Sequence, residues 1–362
     1  MCLCFIFACP CTASGEVLNN IFNEQYIASG AQELLPLLPE EARDFIDELE
    51  LTPENAANAS LAQWLPALFS SLRTRAETPL HSLGLCLCAV VLCAVCSALR
   101  TGVLGELPED LGGMAIFTLL ALPLARVIDA AAAALHGAGT FLLGAVPVYG
   151  GVLAAMGKTV SAGSFGVWMM AAGNAVTWLA QAVILPLLYV LLAFAVASSL
   201  SVPELSRLSG SVYSAARWIL VLAVTFFTGL LSVQGVLSGA ADTAAGKTAK
   251  LVVKNAVPMV GGLISDAAGA VQASVTLLRS GVGVFVLLAL LAVFVPLLAE
   301  HAAWIFVLFL SAVAADLFGL KRLAGLFSAC KTVLQLLFAC VISCAAVLII
   351  CAGVILTLGN SS

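Results

Sequence analysis

Arg126, Asp129 and His136 stand at i, i+3 and i+10 in an otherwise apolar stretch. That spacing puts them within about 80° of one another on a helix. Charges inside an apolar segment are costly and usually face a bundle interior or water. Two chemistries fit: a polar path that relays protons, or an Arg126–Asp129 pair that neutralises itself and positions helices. A second group follows downstream, with Gln234, Gly235, Asp242, Lys247, Lys250, Lys254, Asn255, Pro258, Gly261, Gly262, Asp266 and Arg279 set among small residues. The three lysines fall within about 60° of one another on a helix, and Val252 and Val253 point the other way. Such a helix suits a membrane interface, with lysines reaching toward headgroups. Pro258 and the Gly261-Gly262 pair would then break it, letting the backbone turn inward or a neighbour approach closely. The lysine face is either solvated or placed against a partner or lipid.

No catalytic signature accompanies these groups. His81, His136 and His301 are the only histidines, so no HExxH motif exists, and no GxSxG or GxxxxGK[ST] occurs. Gly157-Lys158-Thr159 mimics the end of a phosphate loop, but Val152 stands where the opening glycine belongs. Asp129 and Asp316 lack the flanking glycines of an intramembrane aspartyl protease. The expectation is a protein that is not an enzyme and needs no cofactor or metal. Twelve cysteines fall in three groups of four, Cys2, Cys4, Cys9 and Cys11, then Cys86, Cys88, Cys93 and Cys96, then Cys330, Cys340, Cys344 and Cys351. All lie in apolar runs rather than in polar loops with CxxC spacing, so they read as small side chains packed between helices.

The elements that must hold these residues are membrane helices. Of 362 residues, 62% are hydrophobic and 10% charged, against roughly 25% charged in soluble domains. Apolar runs near 83–99, 114–135, 164–200, 215–237, 281–319 and 332–357 reach or exceed the roughly 17–25 residues of a crossing. Two of them are long enough to be read as hairpins. The expectation is therefore an all-α polytopic fold of about eight apolar helices, with a range of 7–10. Segments 137–158 and 245–275, rich in Gly and Ala, would either cross or enter and return.

Charge is unevenly placed. Eleven acids and three arginines lie between Glu16 and Ser82, so this segment is acidic, while the remainder is slightly basic with no clustered basic face for nucleic acid. Residues 1–15 resemble a signal peptide lacking its basic start, ending in Thr12-Ala13-Ser14. Residues 16–82 then form an acidic helical extracytoplasmic segment. In it Leu35, Leu37, Leu38, Phe45, Ile46 and Leu49 recur at helical intervals, Thr52-Pro53-Glu54 marks a helix start, and Leu61–Arg73 forms an amphipathic helix with Trp64. That helix lies at the membrane surface or packs on its own small domain.

An internal repeat of about 110 residues is expected. Ala145-Val146-Pro147-Val148-Tyr149-Gly150-Gly151 aligns with Ala256-Val257-Pro258-Met259-Val260-Gly261-Gly262, and Leu205–Gly210 with Leu320–Gly325. Pro147, Gly150 and Gly151 are thus counterparts of Pro258, Gly261 and Gly262. The organisation reads as first transmembrane helices at 83–136, one repeat at 137–237 and a second at 238–362. Arg207, Arg217, Lys321, Arg322 and Lys331 flank corresponding loops, which the positive-inside rule assigns to the cytoplasm. Parallel repeats follow if the Gly-Gly segments cross, and inverted repeats if they do not.

The block Leu231-Ser232-Val233-Gln234-Gly235, with Asp242, Thr248-Ala249-Lys250, Asn255, Pro258, Gly261 and Asp266-Ala267, resembles the most distinctive region of the stage III sporulation protein AE family. Further similarity covers Trp64–Phe69, the stretch from Val146-Pro147 to Ser161-Ala162-Gly163, and the order of apolar runs. The resemblance implies a multi-pass component of the mother-cell membrane around the forespore. It also implies a channel apparatus built with the other membrane proteins of the stage III sporulation A operon, meeting a forespore membrane partner, and serving late forespore development. Homo-oligomers are compatible with the small-residue segments. The rival readings are a secondary transporter and a docking platform without a pore.

Overall fold

The structure, a computed structural model, describes residues 31–48, 61–98, 107–155, 159–199, 210–219, 221–223, 225–226, 229 and 261–357. A 3-10 turn at Ala31–Leu37 leads into α1, Glu40–Glu48. The long helices follow: α2, Leu61–Ala98; α3, Leu107–Ala155; α4, Thr159–Trp178; and α5, Leu185–Ser199, joined to α4 by a wide π-type segment at Leu179–Ile184. A shorter apolar helix α6 occupies Gly210–Ala223, and α7, Gly261–Leu317, pairs with α8, Lys321–Thr357. Among the described residues no strand occurs, as expected where backbone groups must bond within their own segment.

Among the described residues five spans are long and apolar enough to cross a membrane: Arg73–Ala98, Leu111–Gly151, Gly166–Phe194, Val282–Leu317 and Lys321–Ala352. Both anticipated hairpins are unbroken helix over their described residues, so the two runs do not supply the extra crossings counted toward about eight. The 281–319 run lies almost wholly in one 57-residue helix. Its only interruptions are Pro296, which removes one backbone bond without reversing the chain, and the polar pair Glu300-His301, which remains helical. In the 164–200 run the π-type segment takes up extra residues while keeping direction. The 137–158 segment likewise continues the 114–135 run inside the 49-residue α3, and the Leu61–Arg73 stretch continues into the first apolar run inside α2.

The centre of the bundle is the α7–α8 hairpin. Most of its apolar span is buried, whereas little of α2 is. The reversal is a Schellman closure: Leu320 N–H donates to Ala315 O at 2.9 Å and Gly319 N–H to Asp316 O at 3.0 Å, with Gly319 at φ 75°. Only glycine takes that conformation freely. Helices α2 and α3 pack on α7, and α3 and α5 pack on α8. Helix α1 and the preceding turn lie on α7 and α3, burying Leu34, Leu38, Ala42 and Ile46. These four are spaced four apart; the set expected from the periodicity includes Leu38 and Ile46 but not Leu34 and Ala42, and Leu37 is exposed instead.

Small residues let α3 and α4 meet backbone to backbone. A Cβ on Gly139 would stand 3.2 Å from Gly173 O and closer still to the Thr177 hydroxyl, and a Cβ on Gly173 would stand 3.1 Å from Gly139 O. Such contacts are how membrane helices gain dispersion energy without a hydrophobic drive. Gly139→Val should therefore destabilise the bundle by about 1–3 kcal/mol. Gly163→Ala, where no described atom lies within 4 Å, should change little. Thermal unfolding in detergent micelles, compared across the two variants, checks this.

Candidate functional site

Halfway along the bundle the apolar spans carry charge. Arg75 Nη1 donates to Glu300 Oε2 at 3.2 Å, joining α2 to α7, with the two side chains 25% and 21% exposed. One residue on, His301 is fully buried, and its Nδ1 lies 2.7 Å from Leu297 O. A carbonyl only accepts, so Nδ1 carries the hydrogen. His301 Nε2 and Trp304 Nε1, one turn apart and both buried, find no partner among the described residues. Beside the ion pair is a cavity of about 210 Å³ lined by Pro39, Ala42, Arg75, Ala130, Ala134 and Leu297. Arg43 ties α1 to the turn before it, its Nη2 donating to Pro36 O at 2.6 Å and Leu38 O at 3.3 Å.

Arg126, Asp129 and His136 share the exposed face of α3. Asp129 does not pair with Arg126; it accepts the hydroxyl proton of Tyr189 from α5. The i, i+3 spacing permits an Arg–Asp contact, but Tyr189 reaches the carboxylate from the neighbouring helix. Nearer the α3 C-terminus, Tyr149 is buried and its hydroxyl donates to Val282 O at 3.4 Å. Pro147 and Gly151 are exposed and Gly150 half-buried on α3, and neither glycine has a described atom within 4 Å of its Cβ direction. Gly261 and Gly262 open α7, with Asp266 in its second turn. Gln234, Gly235, Asp242, Lys247, Lys250, Lys254, Asn255 and Pro258 lie outside the described residues.

The described cysteines are free thiols, and those of α8 are buried. Among the described residues no three His, Cys, Asp or Glu side chains converge as a metal set. Lys331, half-buried on α8, holds its ammonium 5.4 Å from the Phe309 ring centroid. Phe309 thereby offers the cation an aromatic face inside an apolar span.

The ion pair was legible only in part. Glu300 and His301 interrupt the longest apolar run, a signal as strong as Arg126 and Asp129 carried. Pairing Glu300 with Arg75, 225 residues away, required the tertiary fold.

Length, hydropathy and polar groups settled between helices define a polytopic helical membrane protein. The sequence model of the family Stage III sporulation protein AE matches residues 42–359, and the chain belongs to that family. It is similar to Stage III sporulation protein AE of Bacillus subtilis (strain 168), with 25% identity over 227 residues. The match covers 61% of this chain and 57% of that relative. No solved structure matches. Family membership supports a role in sporulation.

Glu300→Ala would leave Arg75 without its carboxylate, an outcome that costs more than the pair itself contributes. With both side chains about a quarter exposed, the expected loss is about 1–3 kcal/mol. The double variant Arg75→Met with Glu300→Met should recover most of it. A double-mutant cycle by thermal unfolding in micelles measures both.

Proposed function

We propose that the chain is a membrane component of the sporulation channel, a secretion-like complex linking mother cell and forespore, and that late forespore development requires it. The single observation that carries this reading is the family match over residues 42–359. The proposed partners are other membrane proteins of the stage III sporulation A operon, with a forespore membrane protein reached through them, and further copies of this chain. The proposed location is the mother-cell membrane around the forespore, with the acidic segment extracytoplasmic. In support, α1 packs on α7 and the turn before it on α3, well away from the basic turn at Lys321-Arg322, which is the charge asymmetry of the positive-inside rule. The chain acts here as a structural part without catalysis of its own, and the internal repeat belongs to this proposal as the origin of its helix pairs.

A secondary transporter would draw on a polar path through the bundle. Arg126, Asp129 and His136 are exposed on the outer face of α3, which favours contact with neighbours over an internal relay. Deletion in a sporulating host should lower a late forespore-specific reporter at least tenfold, and the full chain supplied in trans should restore it. Vesicles holding the purified chain alone should show no solute flux. Flux without partners would support the transporter instead.

A further inference from the structure

The outward stripe of α3 changes character along its length. At one end it presents Leu111, Met114, Ala115, Thr118, Leu119 and Leu122; from Arg126 onward the exposed positions are Arg126, Asp129, Ala133, His136 and Thr140, followed by Pro147 and Gly151. From Leu111 through Ala115, Thr118, Leu122, Arg126, Asp129, Ala133 and His136 to Thr140 they follow one another at three- and four-residue steps, so they form one face of a single helix. Helix α2 changes in the same way. Arg73, Glu77 and Thr78 are exposed, and beyond Leu80 and His81 come Leu85, Val91, Leu92 and Val95.

Contacts between helices put the two changes at one level. Arg75 meets Glu300 of α7 and shares its cavity with Ala130 of α3 and Leu297 of α7. At the other end, a Cβ on Gly112 would collide with Cys93 and one on Gly113 would touch Leu323. Helix α7 obeys the same division. Beyond Glu300 it exposes Phe306, Phe309, Val313 and Leu317 as one stripe, whereas between Val282 and Leu298 the exposed large apolar side chain is Leu291 alone among the described residues. A helix apolar on every side is enclosed, as a core helix or a central membrane span, so among the described residues only the stripe from Phe306 to Leu317 is open to lipid on α7.

From Glu300 to the turn at Phe318-Gly319 is roughly 27 Å at 1.5 Å per residue, close to the roughly 30 Å of bilayer hydrocarbon. Exposed Asp316 and Lys321 mark the far edge. We infer that lipid surrounds only the half of the bundle between the Lys321 turn and the level of Arg75, Glu300 and Asp129. The rest of α3 and α7, with α1 laid over it, forms an extramembrane body in water. Lys331 lies within the lipid half, where its stem leans toward the α8 N-terminus and Phe309 shields its charge. On this assignment the exposed Val167, Met170 and Trp178 of α4, which lie near Val146 and Gly139 through Gly166, Gly173 and Thr177, belong to a protein-contacting face above the lipid.

The inference rests on the membrane reading of the spans, and one experiment separates the two. A genetically encoded diazirine amino acid is placed singly at Leu92, Leu119 or Phe309, and at His136, Thr140 or Val167, in the full chain in phosphatidylglycerol–phosphatidylethanolamine nanodiscs. All six positions are exposed, so folding should survive. Lipid adducts read by mass spectrometry should be at least fivefold more abundant at the first three than at the second three; a smaller ratio overturns the inference while leaving the membrane reading standing. Absence of adducts at all six overturns the membrane reading itself. On the unsubstituted protein, water-soluble carbodiimide with an amine should label Asp129, and protection of Asp129 from it in nanodiscs would overturn the placement of the boundary.

Discussion

A backbone in hydrocarbon has no water to bond, so every N–H and C=O must be satisfied inside its own helix. Apart from the bond that Pro296 removes, the α7–α8 hairpin meets that constraint up to the reversal at Gly319, where Leu320 N–H bonds Ala315 O and Gly319 N–H bonds Asp316 O. The remaining helices are assembled on this hairpin. Its side chains Phe285, Phe294, Trp304 and Phe327 are fully or almost fully buried, so the packing that would elsewhere form a soluble core lies between helices. Dispersion and close backbone approach, as at Gly139 and Gly173, hold such an interior together.

Once the helices are continuous, their polar residues cannot retreat to loops and must find partners along the shaft. Arg75 with Glu300 and Tyr189 with Asp129 do so between different helices. Each contact ties two helices in one axial register, because a shift of one turn would separate the partners by about 5.4 Å. Polar pairs in this bundle therefore specify alignment more than they add stability. The cavity beside Arg75, closed by α1, shows that the acidic segment is part of this alignment, seated by Leu34, Leu38, Ala42 and Ile46.

This architecture suits a part that works inside an assembly. The exposed face of α3 carries Arg126, Asp129 and His136, while α4 and α6 expose Trp178 and Trp218. Aromatic and charged groups turned outward from a well-packed bundle are available to neighbours, which fits membership in a sporulation family and a function realised with other membrane proteins.

By itself the sequence determined the helical class and its family, because both depend on composition and on local strings: 62% hydrophobic residues with few ions, and the block from Leu231 to Ala267. It also marked Leu38 and Ile46 of the acidic segment and the shared face of Arg126, Asp129 and His136, since helical periodicity is a local property. The number of crossings was not legible. A run such as 281–319 has the same composition as a hairpin or as one long helix, and only packing along α8 and α2 decides for the helix. The partner of Asp129 was equally hidden, because spacing nominates Arg126 while the tertiary fold delivers Tyr189. The Arg75–Glu300 bridge joins residues too far apart in the chain for any periodicity to connect, so it exists only once α2 and α7 lie side by side.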